Sequence, residues 1–144
     1  MPRQTRHNAR ILAFQAVYCR DKLGINRAGE SQLFTDSGLK GAYLEFSREL
    51  TEKTWNNLSD IDPVIQSNLK NWKQHRLTDT LNSLLRIGIC ELLFFKETES
   101  KIIINEAIEI CKKYVDEKAS RMCNGVLHAA AKELRVEQTG AKIG

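Results

Sequence analysis

The stretch KIIINEAIEICKKY, residues 101–114, could be a strand followed by a helix or one continuous helix. Its apolar residues, with the valine that follows, keep the spacing of one helix face: Ile104, Ala107, Ile108, Cys111 and Val115. The isoleucines are therefore predicted to belong to a helix. We expect it to begin near Glu99 and Ser100, with Thr98 as its cap, because threonine is a good N-cap residue.

The same periodicity extends along most of the chain, whereas the alternation typical of strands is missing. The clearest apolar stripe comprises Leu77, Leu81, Leu84, Leu85, Gly88 and Leu92. This stripe predicts a central core helix over residues 77–95. The sequence thus predicts an all-α fold of about six to seven helices.

Glycine and proline mark the expected boundaries of the other helices. Gly24 is predicted to end the first helix, and residues 25–41 are expected to hold at most one short helix. A helix over 44–58 is expected to be interrupted so that Asp62 caps a new helix at Pro63; a kinked continuous helix is the alternative. Gly125 is expected to allow close approach of two helices.

Length and composition are those of an ordinary globular protein. The chain of 144 residues is long enough to bury the core of one compact domain. Its side chains are 42% hydrophobic and 28% charged, as in ordinary globular proteins. We expect a single domain over 1–137 and a frayed polar tail over 138–144. No apolar run reaches membrane-span length and no secretory signal is recognisable, so a cytoplasmic protein with buried, reduced cysteines is expected.

Basic residues concentrate towards the amino terminus. Residues 1–24 contain five Lys or Arg side chains against Asp21 alone, within a chain whose net charge is +4. A second, weaker cluster comprises Lys112, Lys113, Lys118 and Arg121. This asymmetry indicates a polyanionic partner.

Motifs for catalysis are missing. The sequence has no glycine-rich phosphate loop, no HExxH, and no histidine placed three residues after a glutamate. We therefore predict a binding protein without enzymatic activity, metal or cofactor. Glu106 and Glu109 are interpreted as surface or buttress residues, and Arg86 is expected to form structural ion pairs with Glu91 or Glu106.

Three stretches together resemble the NusB family of bacterial transcription antitermination factors. They are RHNARILAFQAVY at 6–18, LLRIGICEL at 84–92 and INEAIEICKKYVDEKASRMCNGVLHAAAKEL at 104–134. The resemblance implies two packed helical bundles that pair with NusE, a small-subunit ribosomal protein, and bind single-stranded boxA RNA, without catalysing a reaction. In that family the pair joins NusA, NusG and RNA polymerase. A helper domain for a ribosomal RNA methyltransferase, or a ribosome-assembly RNA-binding protein, is the alternative.

The resemblance and the charge pattern together indicate candidate residues for binding RNA and NusE. If residues 3–10 are helical, three arginines form one strip for phosphates. The candidates for RNA binding are Arg3, Arg6, His7, Arg10, Tyr114, Lys118, Arg121 and Met122. Tyr18 and Leu81 are the candidates for the NusE face, although Tyr18 and Met122 suit a core position equally well. Glu99, Met122 and His128 depart from the family pattern.

Overall fold

A computed structural model describes residues 2–24 and 27–135 of the chain. These residues form seven α-helices and no strand, which confirms the predicted all-α class. The chain divides into two compact units, residues 1–56 and residues 57–144. None of the helices in the described ranges is both long and apolar enough to cross a membrane. The predicted tail over 138–144 lies outside the described residues.

The first unit contains helices α1 (Arg6–Leu23), α2 (Arg27–Asp36) and α3 (Gly41–Asn56). The hydroxyl of Thr5 accepts a hydrogen bond from the Asn8 N–H and caps α1. Gly24 ends α1 in the left-handed conformation, as predicted, with φ of 63°. α1 packs against α2 and α3 and buries Leu12, Ala13, Ala16 and Val17.

Arg20 joins the three helices of the first unit. Its Nε donates to Glu30 of α2 at 2.8 Å, and its Nη2 donates to Glu52 of α3 at 3.2 Å. The guanidinium also lies 5.1 Å from the centroid of the Trp55 ring. Arg20, although one of the five amino-terminal basic side chains, therefore interacts within the unit.

The second unit contains α4 (Leu58–Ser67), a 3₁₀ turn (Gln74–Arg76), α5 (Asp79–Phe94), α6 (Ser100–Tyr114) and α7 (Glu117–Leu134). α5 packs against α4, α6 and α7 and has ten buried residues, so the predicted central helix is confirmed. A Cβ atom at Gly88 would lie 3.0 Å from Cδ2 of Leu127 in α7. Close helix approach therefore depends on Gly88, whereas Gly125 faces open space and the prediction for it was wrong.

The predicted start of a helix at Pro63 was also wrong. α4 begins at Leu58 and contains Pro63 as its sixth residue. Asp62 is not a cap, because its carboxylate accepts hydrogen bonds from Arg86 and Gln74. Because Pro63 has no N–H to donate to the Ser59 carbonyl four residues earlier, α4 lacks one intrahelical hydrogen bond at this position.

Residues 101–114 belong to one continuous helix and not to a strand followed by a helix, since α6 runs from Ser100 to Tyr114. Its N-cap is Glu99 and not Thr98 as predicted. The Thr98 carbonyl instead accepts a hydrogen bond from Arg135, the last described residue. Arg135 is buried and also donates to the carbonyls of Leu92 and Phe95, both at 2.9 Å. Burial lowers the pKa of its guanidinium.

All four cysteines are free thiols. Cys90, Cys111 and Cys123 are buried, and Cys19 is partly buried. The pKa of the Cys123 thiol is raised well above its ordinary value. The larger cause is a hydrogen bond with Cys111, and the second is burial.

Candidate nucleic-acid interface

Two of the amino-terminal arginines stack on the same ring. The guanidinium carbon of Arg6 lies 4.3 Å from the centroid of Phe46, and that of Arg10 lies 5.3 Å from it. Arg6 is exposed, whereas Arg10 is only 4% exposed. Arg6 can therefore present its charge to a phosphate, whereas the buried Arg10 packs beside Phe46 and offers little charge to solvent.

Arg3 does not belong to a helical strip, so that part of the prediction was wrong. α1 begins at Arg6, and Thr5 is its extended N-cap. The backbone at Arg3 is nevertheless fixed, because its carbonyl accepts a hydrogen bond of 2.9 Å from Nδ2 of Asn8. The Gln4 side chain donates to the carbonyl of Gly38 at 3.0 Å. The exposed Arg3 side chain thus projects from an anchored segment.

His7 and Tyr18, the other candidates of the first unit, are each partly exposed on α1. They are eleven positions apart along the helix, which is about three turns. They are therefore placed to meet different parts of a ligand or different partners. Tyr18 keeps enough exposed surface for a partner to contact.

The candidates at the end of α6 and the start of α7 are also accessible. Tyr114 is 38% exposed, and Nζ of Lys113 lies 5.4 Å from the centroid of its ring. Lys118 and Arg121 are exposed, and Met122 is partly exposed. Because Lys118, Arg121 and Met122 are spaced i, i+3 and i+4, they share one face of α7.

A groove of about 180 Å³ brings some of these candidates together within the second unit. Lys118 and Met122 of α7 form part of its wall, and Leu81 of α5 lines it as well. Leu81 is only 5% exposed, so it can offer a partner little surface. Tyr114 and Arg121 lie outside the residues that line the groove. We call this feature the Trp72 groove, after the exposed aromatic residue that lines it.

Sequence analysis missed Trp72 and Arg76, which also line the groove. Trp72 is 46% exposed, and Arg76 is exposed beside it. Both lie in the connection between α4 and α5, which helical periodicity does not describe. The composition of this segment could have indicated a basic site, because residues 63–78 contain Lys70, Lys73 and Arg76 but no Asp or Glu.

The fold and these sites define an all-helical protein that presents basic side chains from each of its two units. A model of the NusB family matches residues 7–132. The transcription antitermination protein NusB of Oleidesulfovibrio alaskensis is 33% identical over 142 residues, covering 90% of this chain and 89% of the relative. That of Bacillus mycoides is 38% identical over 125 residues, covering 85% and 93%. The chain belongs to the NusB family.

Solved structures show the same relationship. The NusB of T. maritima superposes with a TM-score of 0.85 at 28% identity, covering 96% of this chain and 99% of that one. A structure of the antitermination factors NusB and NusE in complex with double-stranded RNA matches with a TM-score of 0.81 at 30% identity. That match covers 89% of this chain and 96% of the other.

Proposed function

We propose that this protein is a transcription antitermination factor that pairs with NusE and binds boxA RNA in nascent ribosomal transcripts. The observation that carries the proposal is the match to the NusB family over residues 7–132, together with a related NusB structure that contains NusE and RNA. On this proposal the protein is cytoplasmic and non-enzymatic, and it acts in a larger complex with NusA, NusG and RNA polymerase.

Exposed cations in each unit support the RNA-binding part. Arg3 and Arg6 are exposed in the first unit, and Lys118 and Arg121 are exposed in the second. Guanidinium and ammonium groups neutralise phosphates whatever the base sequence, so these side chains account for affinity. Unstacked bases are distinguished by stacking and edge contacts, which we assign to the surroundings of Tyr114 and Met122.

The partner-binding part rests on Tyr18 and Leu81. Tyr18 keeps a partly exposed phenol, and tyrosine is enriched among the residues that dominate interface energies. Leu81 is buried in the Trp72 groove and can contribute only a small apolar contact. Tyr18 is therefore the better supported of the two proposed contacts.

Calorimetric titration with purified NusE tests the pairing. We expect saturable binding to the wild-type protein and an affinity at least about tenfold weaker for Tyr18→Ala, as for a residue at the centre of an interface. Tyr43→Ala is the matched control, because it removes another tyrosine of the first unit that is 37% exposed. Absence of binding heat, together with separate elution of the two proteins on a sizing column, would contradict the pairing.

A further inference from the structure

Trp72 is a large apolar side chain that the fold leaves 46% exposed at the edge of a groove. Single exposed apolar residues are common and need no explanation. Trp72 differs from such residues because its backbone is fixed and its surroundings are basic. These two properties together suit a rigid surface on which a planar ligand can stack.

The backbone at and just after Trp72 is held by one glutamine. Nε2 of Gln66 donates to the Trp72 carbonyl at 3.1 Å, and Oε1 of Gln66 accepts from the Gln74 N–H at 2.9 Å. The preceding Asn71 adopts the left-handed conformation with φ of 63°, which turns the chain at this point. A ring carried by such a fixed segment loses little conformational entropy when a ligand binds.

The Gln74 side chain ties this segment to two helices. Its Nε2 donates to Asp62 of α4 at 2.9 Å and to Asn82 of α5 at 3.0 Å. Asp62 also accepts a hydrogen bond from Arg86 of α5. The connection that carries Trp72 is therefore part of the second unit's framework.

The charge around the groove is positive. Arg76 and Lys118 line it, and both are exposed. Within residues 2–24 and 27–135, neither of these side chains forms a hydrogen bond or an ion pair. Lys70 and Lys73, on either side of Trp72, are exposed as well. The groove is thus lined by two cations that are available to an anionic ligand, and Lys70 and Lys73 flank Trp72 in the sequence.

One acidic residue, Asp116, also lines the groove. Its Oδ1 accepts the N–H of Ala119 at 2.7 Å, as the N-cap of α7. A carboxylate at this position is stabilised by the partial positive charge of the helix amino terminus. It therefore reduces the positive potential of Arg76 and Lys118 less than an uncapped carboxylate would.

We propose that the Trp72 groove holds one unpaired nucleobase of the bound RNA, stacked on the Trp72 indole, with Arg76 and Lys118 meeting the neighbouring phosphates. The inference rests on the proposed RNA binding, and it adds Trp72 and Arg76 to the residues that bind the RNA. The groove volume of about 180 Å³ is below the roughly 300–1,000 Å³ of pockets that enclose a whole drug-sized ligand. A single base on an aromatic face, with cations on both sides, fits this size and charge.

The alternative occupant is an apolar segment of a partner protein. A partner helix would use several apolar anchors along an extended groove, and such a groove needs no cationic rim. Here the apolar floor is small, Arg76 and Lys118 line it, and Lys70 and Lys73 are exposed on either side of Trp72 in the sequence. Charge complementarity therefore favours RNA.

The test compares Trp72→Ala with Trp72→Tyr in the full chain, with NusE added, using a labelled single-stranded boxA-type RNA. We expect Trp72→Ala to weaken binding by roughly 5- to 150-fold, the range for loss of one aromatic stacking platform, and Trp72→Tyr to retain most of the affinity. Ile102→Ala is the matched control, because Ile102 is also 46% exposed and also lies in the second unit. It should bind like the wild type.

Two further measurements identify stacking as the cause. Trp72→Ala should leave the salt dependence unchanged, whereas Arg76→Ala should lower the slope of log K against log salt by about 0.7. Annealing a complementary strand to the RNA should remove the difference between wild type and Trp72→Ala, because paired bases cannot stack on the ring. Intrinsic fluorescence should be quenched by RNA in the wild type and much less in Trp72→Phe, in which Trp55 is the remaining tryptophan.

Equal RNA affinities for Trp72→Ala and Ile102→Ala would overturn the inference while leaving the proposed function intact. Weaker binding of Trp72→Ala to NusE in the absence of RNA would also overturn it, because the groove would then hold a protein segment. If the wild-type protein with NusE bound no RNA, the proposed function itself would fail.

Discussion

Arg86 holds Asp62 through two parallel hydrogen bonds, one of 2.9 Å from Nε and one of 3.0 Å from Nη2. The pair joins α5 to α4, and both side chains are largely shielded from solvent, with 12% and 29% of their surfaces exposed. Asp62 also accepts a hydrogen bond from Gln74, which belongs to the segment that carries Trp72. The same carboxylate thus stabilises the second unit and the proposed base-binding platform.

Asp62→Asn should destabilise the protein by about 2 kcal/mol, because it removes the negative partner of a partly buried guanidinium. Urea unfolding followed by circular dichroism measures the change. Asp60→Asn is the control, since Asp60 is exposed in the first turn of the same helix and should cost less than about 1 kcal/mol. Equal effects of the two substitutions would mean that the Arg86 pair adds no stability.

Two helical glycines should respond to alanine in opposite directions. At Gly88 the added methyl would lie 3.0 Å from Cδ2 of the buried Leu127, so Gly88→Ala should cost about 1 kcal/mol or more in free energy of unfolding. At Gly125 it would meet nothing within 4 Å, so Gly125→Ala should add about 0.5–1 kcal/mol through helix propensity. Thermal unfolding of both variants would show the opposite signs, and a stabilised Gly88→Ala would contradict the packing described for α5 and α7.

Arg135→Lys should cost at least about 2 kcal/mol, although the charge is conserved. The guanidinium donates to carbonyls at the end of α5 and in the following turn, and a single ammonium cannot reach all of them. Chemical denaturation tests the cost. Lys132→Met, an exposed change in the same region, should cost less than about 1 kcal/mol. An unchanged free energy of unfolding for Arg135→Lys would show that water replaces these hydrogen bonds without loss of stability.

The features that sequence predicted correctly are governed by local rules. Gly24 ends α1 because glycine enters the left-handed conformation without a steric penalty, and the α5 stripe forms a helix because its period is that of a buried face. The start of α4 was misplaced because Asp62 looks like a cap in sequence. Its actual partner, Arg86, lies 24 residues away and cannot be identified from local pattern.

The candidate site was less predictable for the same reason. Arg10 was expected to face phosphates, but its burial depends on Phe46 of α3, a contact distant in sequence. Trp72 was overlooked because it lies in an aperiodic connection, where exposure is decided by Gln66 and Gln74 rather than by helix phase. Composition could have indicated this segment, since Lys70, Lys73 and Arg76 lie near Trp72 in a stretch, residues 63–78, that contains no Asp or Glu.

Arg6 and Arg10 should differ in RNA binding although both contact Phe46. Arg6→Ala should lower the slope of log K against log salt by about 0.7 for single-stranded RNA, because an exposed guanidinium contacts a phosphate. Arg10→Ala should leave the slope unchanged and lower the free energy of unfolding, because its side chain is buried. Binding at several salt concentrations, with urea unfolding of each variant, separates the two roles. An unchanged slope for Arg6→Ala would remove Arg6 from the RNA site.

On the proposed function, this chain pairs with NusE and recognises boxA RNA. The most direct test titrates labelled single-stranded boxA-type RNA and a scrambled RNA of the same composition with the chain alone, NusE alone and the two together. We predict that the pair binds boxA-type RNA at least about tenfold more tightly than the scrambled RNA, and more tightly than either protein alone. Equal affinity for both RNAs, or an affinity unaffected by NusE, would contradict the account.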